Sequence, residues 1–114
     1  MSLARTAALS LALLGFALPA LAQDAGDAAL VEILVESAST PAQHGALAKY
    51  YRGRAADERK LAAEHKAMGN AYGGTKLAIA RAGKEHCAKL EALHESAAGE
   101  YDKLAAEHES LAKK

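Results

Sequence analysis

The sequence predicts an all-α fold: a long antiparallel helical hairpin with a short N-terminal helix packed on it, as a three-helix bundle. Alanine, the strongest helix former, supplies 23 of the residues in 23–114. Two polar rows step by seven residues, which is about two helical turns, so each row follows one face of a helix. A glycine-rich segment at 69–74 separates the rows and lets the chain double back.

The first 22 residues have the features of a secretory signal peptide, and residues 23–114 are predicted to form a single α-helical domain. Arg5 supplies the positive charge, residues 9–18 are apolar, and Ala20-Leu21-Ala22 fits a small-x-small cleavage site. The apolar run is too short to cross the ~30 Å hydrocarbon layer of a membrane. We therefore expect export to the periplasm, with no membrane association after cleavage.

The first predicted helix runs from about Ala28 to Ala38, with Asp24 or Asp27 as its N-terminal cap. An alternation typical of a β-strand is also present there, at Val31, Ile33 and Val35. Because no other segment offers a strand partner, the helix is the favoured interpretation.

A capping box begins the second predicted helix, which runs from Pro41 to about Met68. Thr40 can cap the helix, Pro41 suits its first position, and Gln43 completes the box. Gly69-Asn70 is expected to end the helix with a left-handed cap.

The predicted loop covers residues 69–74, with Tyr72 at its tip. Thr75 can then cap the third helix, which is expected to continue to about Ala112. Gly83 is an alternative start or a break, because glycine inside a helix costs about 1 kcal/mol relative to alanine.

The polar rows form a seam if the helices fold back on each other. The rows contain His44, Tyr51, Glu58 and His65 on one helix, and Cys87, His94, Tyr101 and His108 on the next. A turn near Tyr72 and a 4-3 alternation of seam positions predict the following layers. They are Met68 with Gly83, His65 with Cys87, Leu61 with Leu90, Glu58 with His94, Arg54 with Ala97, Tyr51 with Tyr101, Leu47 with Leu104, and His44 with His108. Arg54 then has space to reach Glu58.

The layer nearest the loop predicts a metal site. Its ligands would be His65, Met68, His86 and Cys87, because sulfur donors with imidazole select copper, and zinc binds His and Cys. Burial of the thiol beside a solvated histidine is the alternative for this layer. The Glu58–His94 and His44–His108 layers are interpreted as ordinary half-exposed polar pairs that set the register.

Cys87 is the only cysteine, so an internal disulfide is excluded. A metal ligand, a buried thiol and an intermolecular disulfide remain open for it. A nucleophilic Cys–His pair is a further alternative, but no oxyanion hole is evident in alanine-rich helices. Metalloprotease, haem-attachment, CxxC and phosphate-loop motifs are absent, so we expect no enzyme.

Charge excludes two classes of partner. After removal of Arg5 the chain has 13 basic and 14 acidic residues, so no basic patch recruits nucleic acid or anionic lipid. The leading hypothesis is a non-enzymatic periplasmic protein that binds Cu or Zn. The alternative is a structural or interaction helical module with no metal. Burial of the alanine-rich flank requires the first helix or a second copy of the chain, and a homodimer or a helical protein partner is the expected partner.

Four short motifs resemble those of a group of small exported proteobacterial helical-hairpin proteins. They are Thr40-Pro41-x-Gln43-His44, Tyr50-Tyr51, Glu64-His65-x-x-Met68 and Glu85-His86-Cys87. The resemblance covers about residues 37–112 and implies a helical hairpin without implying an activity. The outline is also similar to periplasmic helical stress chaperones, but their Leu-Thr-x-x-Gln motif is missing, so their function is not carried over.

Overall fold

A computed structural model describes residues 20–74 and 78–114, and it consists of three helices. These are α1 (Ala20–Ser37), α2 (Pro41–Gly73) and α3 (Ala78–Leu111). The described residues contain no strand, and α2 packs along α3 as an antiparallel hairpin, so the predicted all-α hairpin with a short first helix is confirmed. Most of the predicted signal peptide lies outside the described residues, and so does the proposed cap Thr75.

Helix α1 is longer than the sequence predicts, because it begins at Ala20 and not near Ala28. It contacts α2 and makes no contact with α3 within the described part of the chain. Its side chains Leu30 and Ile33 are 66% and 62% exposed. Helix α1 therefore covers only part of the hairpin.

The start of α2 is the capping box that the sequence predicts. The backbone N–H of Gln43 donates to Thr40 Oγ1 at 3.2 Å, and Gln43 Oε1 accepts from the backbone N–H of Thr40 at 3.1 Å. Gln43 Oε1 also accepts from the backbone N–H of Ser39 at 2.9 Å. These bonds satisfy donors that a helix N-terminus otherwise leaves unpaired.

The predicted end of α2 at Gly69-Asn70 is wrong, because the helix continues to Gly73 and none of the described residues has a positive φ. The cap, Gly74, has φ −83° and ψ −3°, which is right-handed. Gly69 instead lies in the contact with α3, where an added Cβ would be 3.3 Å from Cys87 Cβ. This glycine allows close packing between the helices and does not form a turn.

Gly83 has a similar role in α3, which runs without a break from Ala78 to Leu111. A Cβ at Gly83 would lie 2.8 Å from the ring of Tyr72. Tyr72 belongs to α2 and is not the tip of a loop. The glycine therefore makes room for this ring against the α3 backbone, and the alternative of a break at Gly83 is wrong.

Small side chains fill the contact between α2 and α3. The buried residues of the two helices are Leu47, Ala48, Ala55, Ala62, Gly69, Ala80, Cys87, Ala98 and Ala105. Among the described residues Leu47 is the only large side chain that is fully buried, whereas Leu61, Leu90 and Leu104 are 37–39% exposed. Alanines occupy the centre of the contact because they let the helices approach closely, and these three leucines lie at its edge, whereas the pairing of the leucines in layers stays a prediction.

Two glycine substitutions should have opposite effects on stability. Gly99 has nothing within 4 Å of an added Cβ, so Gly99→Ala should raise the free energy of unfolding by up to about 1 kcal/mol through helix propensity. Gly83→Ala gains the same propensity but forces the Tyr72 ring to move, so it should lower the stability. Thermal unfolding followed by circular dichroism measures both, and equal shifts for the two variants would contradict the close contact at Gly83.

Candidate functional site

The polar rows meet in the register that the sequence predicts. His44 Nδ1 lies 3.0 Å from His108 Nδ1, and His94 Nδ1 lies 2.6 Å from Glu58 Oε2. The rings of Tyr51 and Tyr101 stack with their centroids 6.1 Å apart. Each of these pairs joins α2 to α3, so the seam between the helices carries titratable groups along most of its length.

The side chains of the two rows interdigitate and do not form separate layers. His108 stacks on Tyr51 as well as on His44, with centroids 5.7 and 5.2 Å apart. His94 stacks on His65 at 5.3 Å with an interplanar angle of 7°. One ring thus contacts two positions of the opposite helix that are seven residues apart. The result is a continuous ladder that fixes the register at several heights.

Arg54 joins this ladder from its edge. Its Nη2 lies 3.7 Å from Glu58 Oε1, as the sequence predicts, and its guanidinium carbon lies 5.5 Å from the centroid of the Tyr101 ring. The Tyr101 side chain raises the pKa of Arg54. Burial, followed by the neighbouring Tyr50 and Tyr101, raises the pKa of Tyr51. Arginine is therefore charged here, and Tyr51 is a neutral hydroxyl at physiological pH.

The four residues of the predicted metal site have different environments. Cys87 is buried with a free thiol and packs on Gly69, and His65 is half-buried in the same seam. Met68 and His86 are both exposed, because each lies on its helix further from the seam. Among the described residues, no group of three or more His, Cys, Asp or Glu side chains has a geometry that could hold a metal ion.

His65 nevertheless has an unusual environment. Its Nδ1 is the one buried side-chain nitrogen or oxygen in the described ranges that has no hydrogen-bond partner. Buried polar atoms are almost always paired, because an unpaired one costs about 1–3 kcal/mol of desolvation. The atom lies in the seam that also buries the Cys87 thiol.

An ion-pair network along one edge of the seam was not predicted from the sequence. Arg52 contacts Asp102 at 2.7 Å and Glu109 at 3.0 Å, and Arg59 also pairs with Asp102. Lys66 extends this edge with a contact to Glu91. The spacing of these residues in the sequence could have predicted the network. Arg52 and Arg59 are seven residues apart, as are Asp102 and Glu109, and each of the four directly follows a member of the two polar rows.

An open groove lies beside the N-terminal half of α2, where α1 approaches it. Its lining contains Ala28, Tyr50, Gly53, Arg54, Asp57 and Tyr101. It combines two tyrosines with two cations, one of which is Lys49, and one carboxylate. Among the described residues, no cysteine, serine or histidine lines this groove.

The ion-pair edge makes stability depend on pH in a defined direction. Arg59 and Arg52 lower the pKa of Asp102, and Arg52 lowers the pKa of Glu109. A carboxyl whose pKa is lower in the folded state stabilises the fold above its unfolded pKa, near 4, and this contribution disappears as pH falls through the folded pKa.

The double variant Asp102→Asn/Glu109→Gln should therefore unfold at a lower temperature than the parent at pH 7. The difference in Tm should shrink as the pH falls from about 5 towards 2, and also at 1 M salt, because these groups are exposed. Glu95→Gln is the matched control, since Glu95 is exposed and has no ion pair in the described part of the chain. A Tm difference that is constant with pH would contradict the network.

Comparison with known proteins assigns no family to this arrangement. No family model, curated protein or solved structure matches the chain. None of the helices in the described ranges is both long enough and apolar enough to cross a membrane. The ladder, the free thiol and the uncovered apolar side chains are therefore the features from which a function has to be proposed.

Proposed function

We propose that this chain is a non-enzymatic helical interaction module, exported to the periplasm, which binds another helical surface. The observation that carries the proposal is the distribution of apolar side chains. Leu47 is the only large side chain that is fully buried, while eleven large apolar side chains are exposed in the described residues. The hydrophobic stabilisation of a domain comes mainly from large buried side chains, at about 1.5–3 kcal/mol each.

The exposed side chains of the hairpin are concentrated on one face. We define the leucine face as Leu61, Met68, Leu90, Leu93 and Leu104, which are between 37% and 65% exposed. Four of these residues follow a member of the two polar rows by three residues, and Leu93 follows Cys87 by six. Positions that follow the seam by one form the ion-pair edge, where α2 and α3 meet across the same side of the hairpin. Helical geometry places the leucine face on the opposite side.

The two sides of the hairpin therefore differ in whether their side chains have partners within the chain. On one side Arg52, Arg59 and Lys66 are paired with carboxylates of α3. On the other side, within the described ranges, the leucine side chains have no covering element except where α1 contacts α2. An exposed apolar surface bordered by charged residues is typical of a protein interaction site.

Site-specific photo-crosslinking tests this proposal in cells that express the protein. A photoreactive side chain at Leu93 should form adducts with another polypeptide, because Leu93 is the most exposed member of the leucine face. The same group at Glu95 is the matched control, since this residue lies two positions away, next to the ion-pair edge. Equal adduct yields at the two positions, or none at Leu93, would refute the interaction module.

A second candidate function, the binding of Cu(I) or Zn(II), is favoured by one observation: the buried and unpartnered Nδ1 of His65 in the seam that also buries the free thiol of Cys87. Thiolate and imidazole are suitable ligands for both ions. Met68 and His86 complete the proposed set from the exposed side, so binding would require rotation of their side chains.

Titration of the reduced protein with Cu(I) and with Zn(II) tests this second function. His65→Ala and Cys87→Ser should each weaken binding by about tenfold or more, since loss of one ligand removes a substantial part of the site's affinity. His108→Ala is the control, because it removes an imidazole of the ladder that stacks on His44 and Tyr51 and on no proposed ligand. Binding that is unchanged in Cys87→Ser would exclude the metal site.

A further inference from the structure

We infer that the occupant of the leucine face is a second copy of this chain, bound antiparallel through the half of the face nearest the hairpin turn. This inference rests on the proposed interaction function and names its partner. Two layers of hairpins stacked by their apolar faces form a four-helix bundle, which is a common way to complete a helical hairpin. Three observations support a second copy: the position of the exposed leucines, the charges beside them, and the location of α1.

The exposed leucines of α2 and α3 lie at the same height on the hairpin. His94 contacts both Glu58 and His65, so its neighbour Leu93 is level with the part of α2 that contains Leu61. Leu61 is 38% exposed and Leu93 is 65% exposed. A two-fold axis that lies in the plane of contact and crosses both helices at this height would bring four leucine side chains together, two from each copy. Such an isologous contact uses the same patch on both subunits.

The charges beside Leu61 are complementary to those of a second copy when the two α2 helices run antiparallel. Lys60 and Glu64 are exposed, border Leu61 on the outer side of α2, and form no ion pair within the described ranges. When two copies of this segment run antiparallel, Lys60 of each copy faces Glu64 of the other, which gives two ion pairs. With a two-fold axis parallel to the helices, α2 would instead lie against α3 of the other copy, so this match between Lys60 and Glu64 belongs to the antiparallel dimer.

The half of the face nearest the hairpin turn is the half that remains accessible. Helix α1 approaches α2 near Tyr50 and Arg54, and the groove there extends to Tyr101. A similar segment on α3, Lys103 to Glu107, repeats the pattern around Leu104. Lys103, however, already bonds Glu100 at 2.7 Å. Lys60 and Glu64, and not the similar segment of α3, therefore specify the contact between the two copies.

Sedimentation of the purified full chain over a range of concentrations tests the inference. The parent should form a dimer, and Glu64→Lys should raise its dissociation constant by about tenfold, because two attractive contacts become repulsive. The double variant Lys60→Glu/Glu64→Lys should restore the dimer, since the reversed charges are again complementary in the antiparallel arrangement. Glu85→Lys is the matched control: it makes the same charge change away from the leucine face and should leave the dimer intact.

A variant of the apolar centre gives a second measurement. Leu93→Glu should raise the dissociation constant by about 100-fold, because it buries two new charges, one from each copy, or keeps the faces apart. Helical circular dichroism should remain, since the side chain is mostly exposed in one copy.

The outcomes separate this inference from the proposed function. A parent that is monomeric at every concentration, or a dimer that the double charge reversal fails to restore, overturns the second copy as occupant. If Leu93 then crosslinks to a different polypeptide, the interaction function stands with another partner. If Leu93 forms no adduct in cells, the interaction function falls as well.

Discussion

The close approach of α2 to α3 is the constraint on which the rest of the molecule depends. Alanine and glycine recur at steps of seven along α2, at Ala48, Ala55, Ala62 and Gly69, and Cys87, Ala98 and Ala105 face them from α3. Small side chains allow the backbones to lie close together, so the flanking rows are brought into direct contact. This is why hydrogen bonds and stacked rings, and not leucines, set the register of the hairpin.

As a result of this arrangement, the core contains few large hydrophobic side chains. Alanine buries little area, and Leu47, the single fully buried leucine in the part of the chain that the structure describes, adds only one large side chain to this core. The larger apolar side chains are displaced to the outer side of the seam, where no described element of the chain covers most of them. Close packing and an incomplete apolar surface are thus two results of the same placement of alanine, and they connect the fold to the proposed association.

Much of the hairpin could be predicted from the sequence, because capping signals and seven-residue steps are local. The capping box at Thr40, the pairing of Glu58 with His94 and the contact of Arg54 with Glu58 all follow from such patterns. The face of α2 that forms the core could not be predicted in this way. Hydrophobicity favours burial of Leu61, whereas close packing of the helices favours burial of Ala62. Gly69 could not be interpreted correctly for a similar reason. In the sequence, a glycine that ends a helix looks the same as a glycine that lets a second helix pack closely against it.

The pair formed by His44 and His108 has a consequence for the chemical state of the two rings. Their Nδ1 atoms lie 3.0 Å apart, and a hydrogen bond between them requires one nitrogen to donate and the other to accept. Two neutral imidazoles can meet this requirement only as different tautomers. Although α2 and α3 contribute equivalent residues at this height, the proton makes them inequivalent, so the hairpin is chemically asymmetric at its open end.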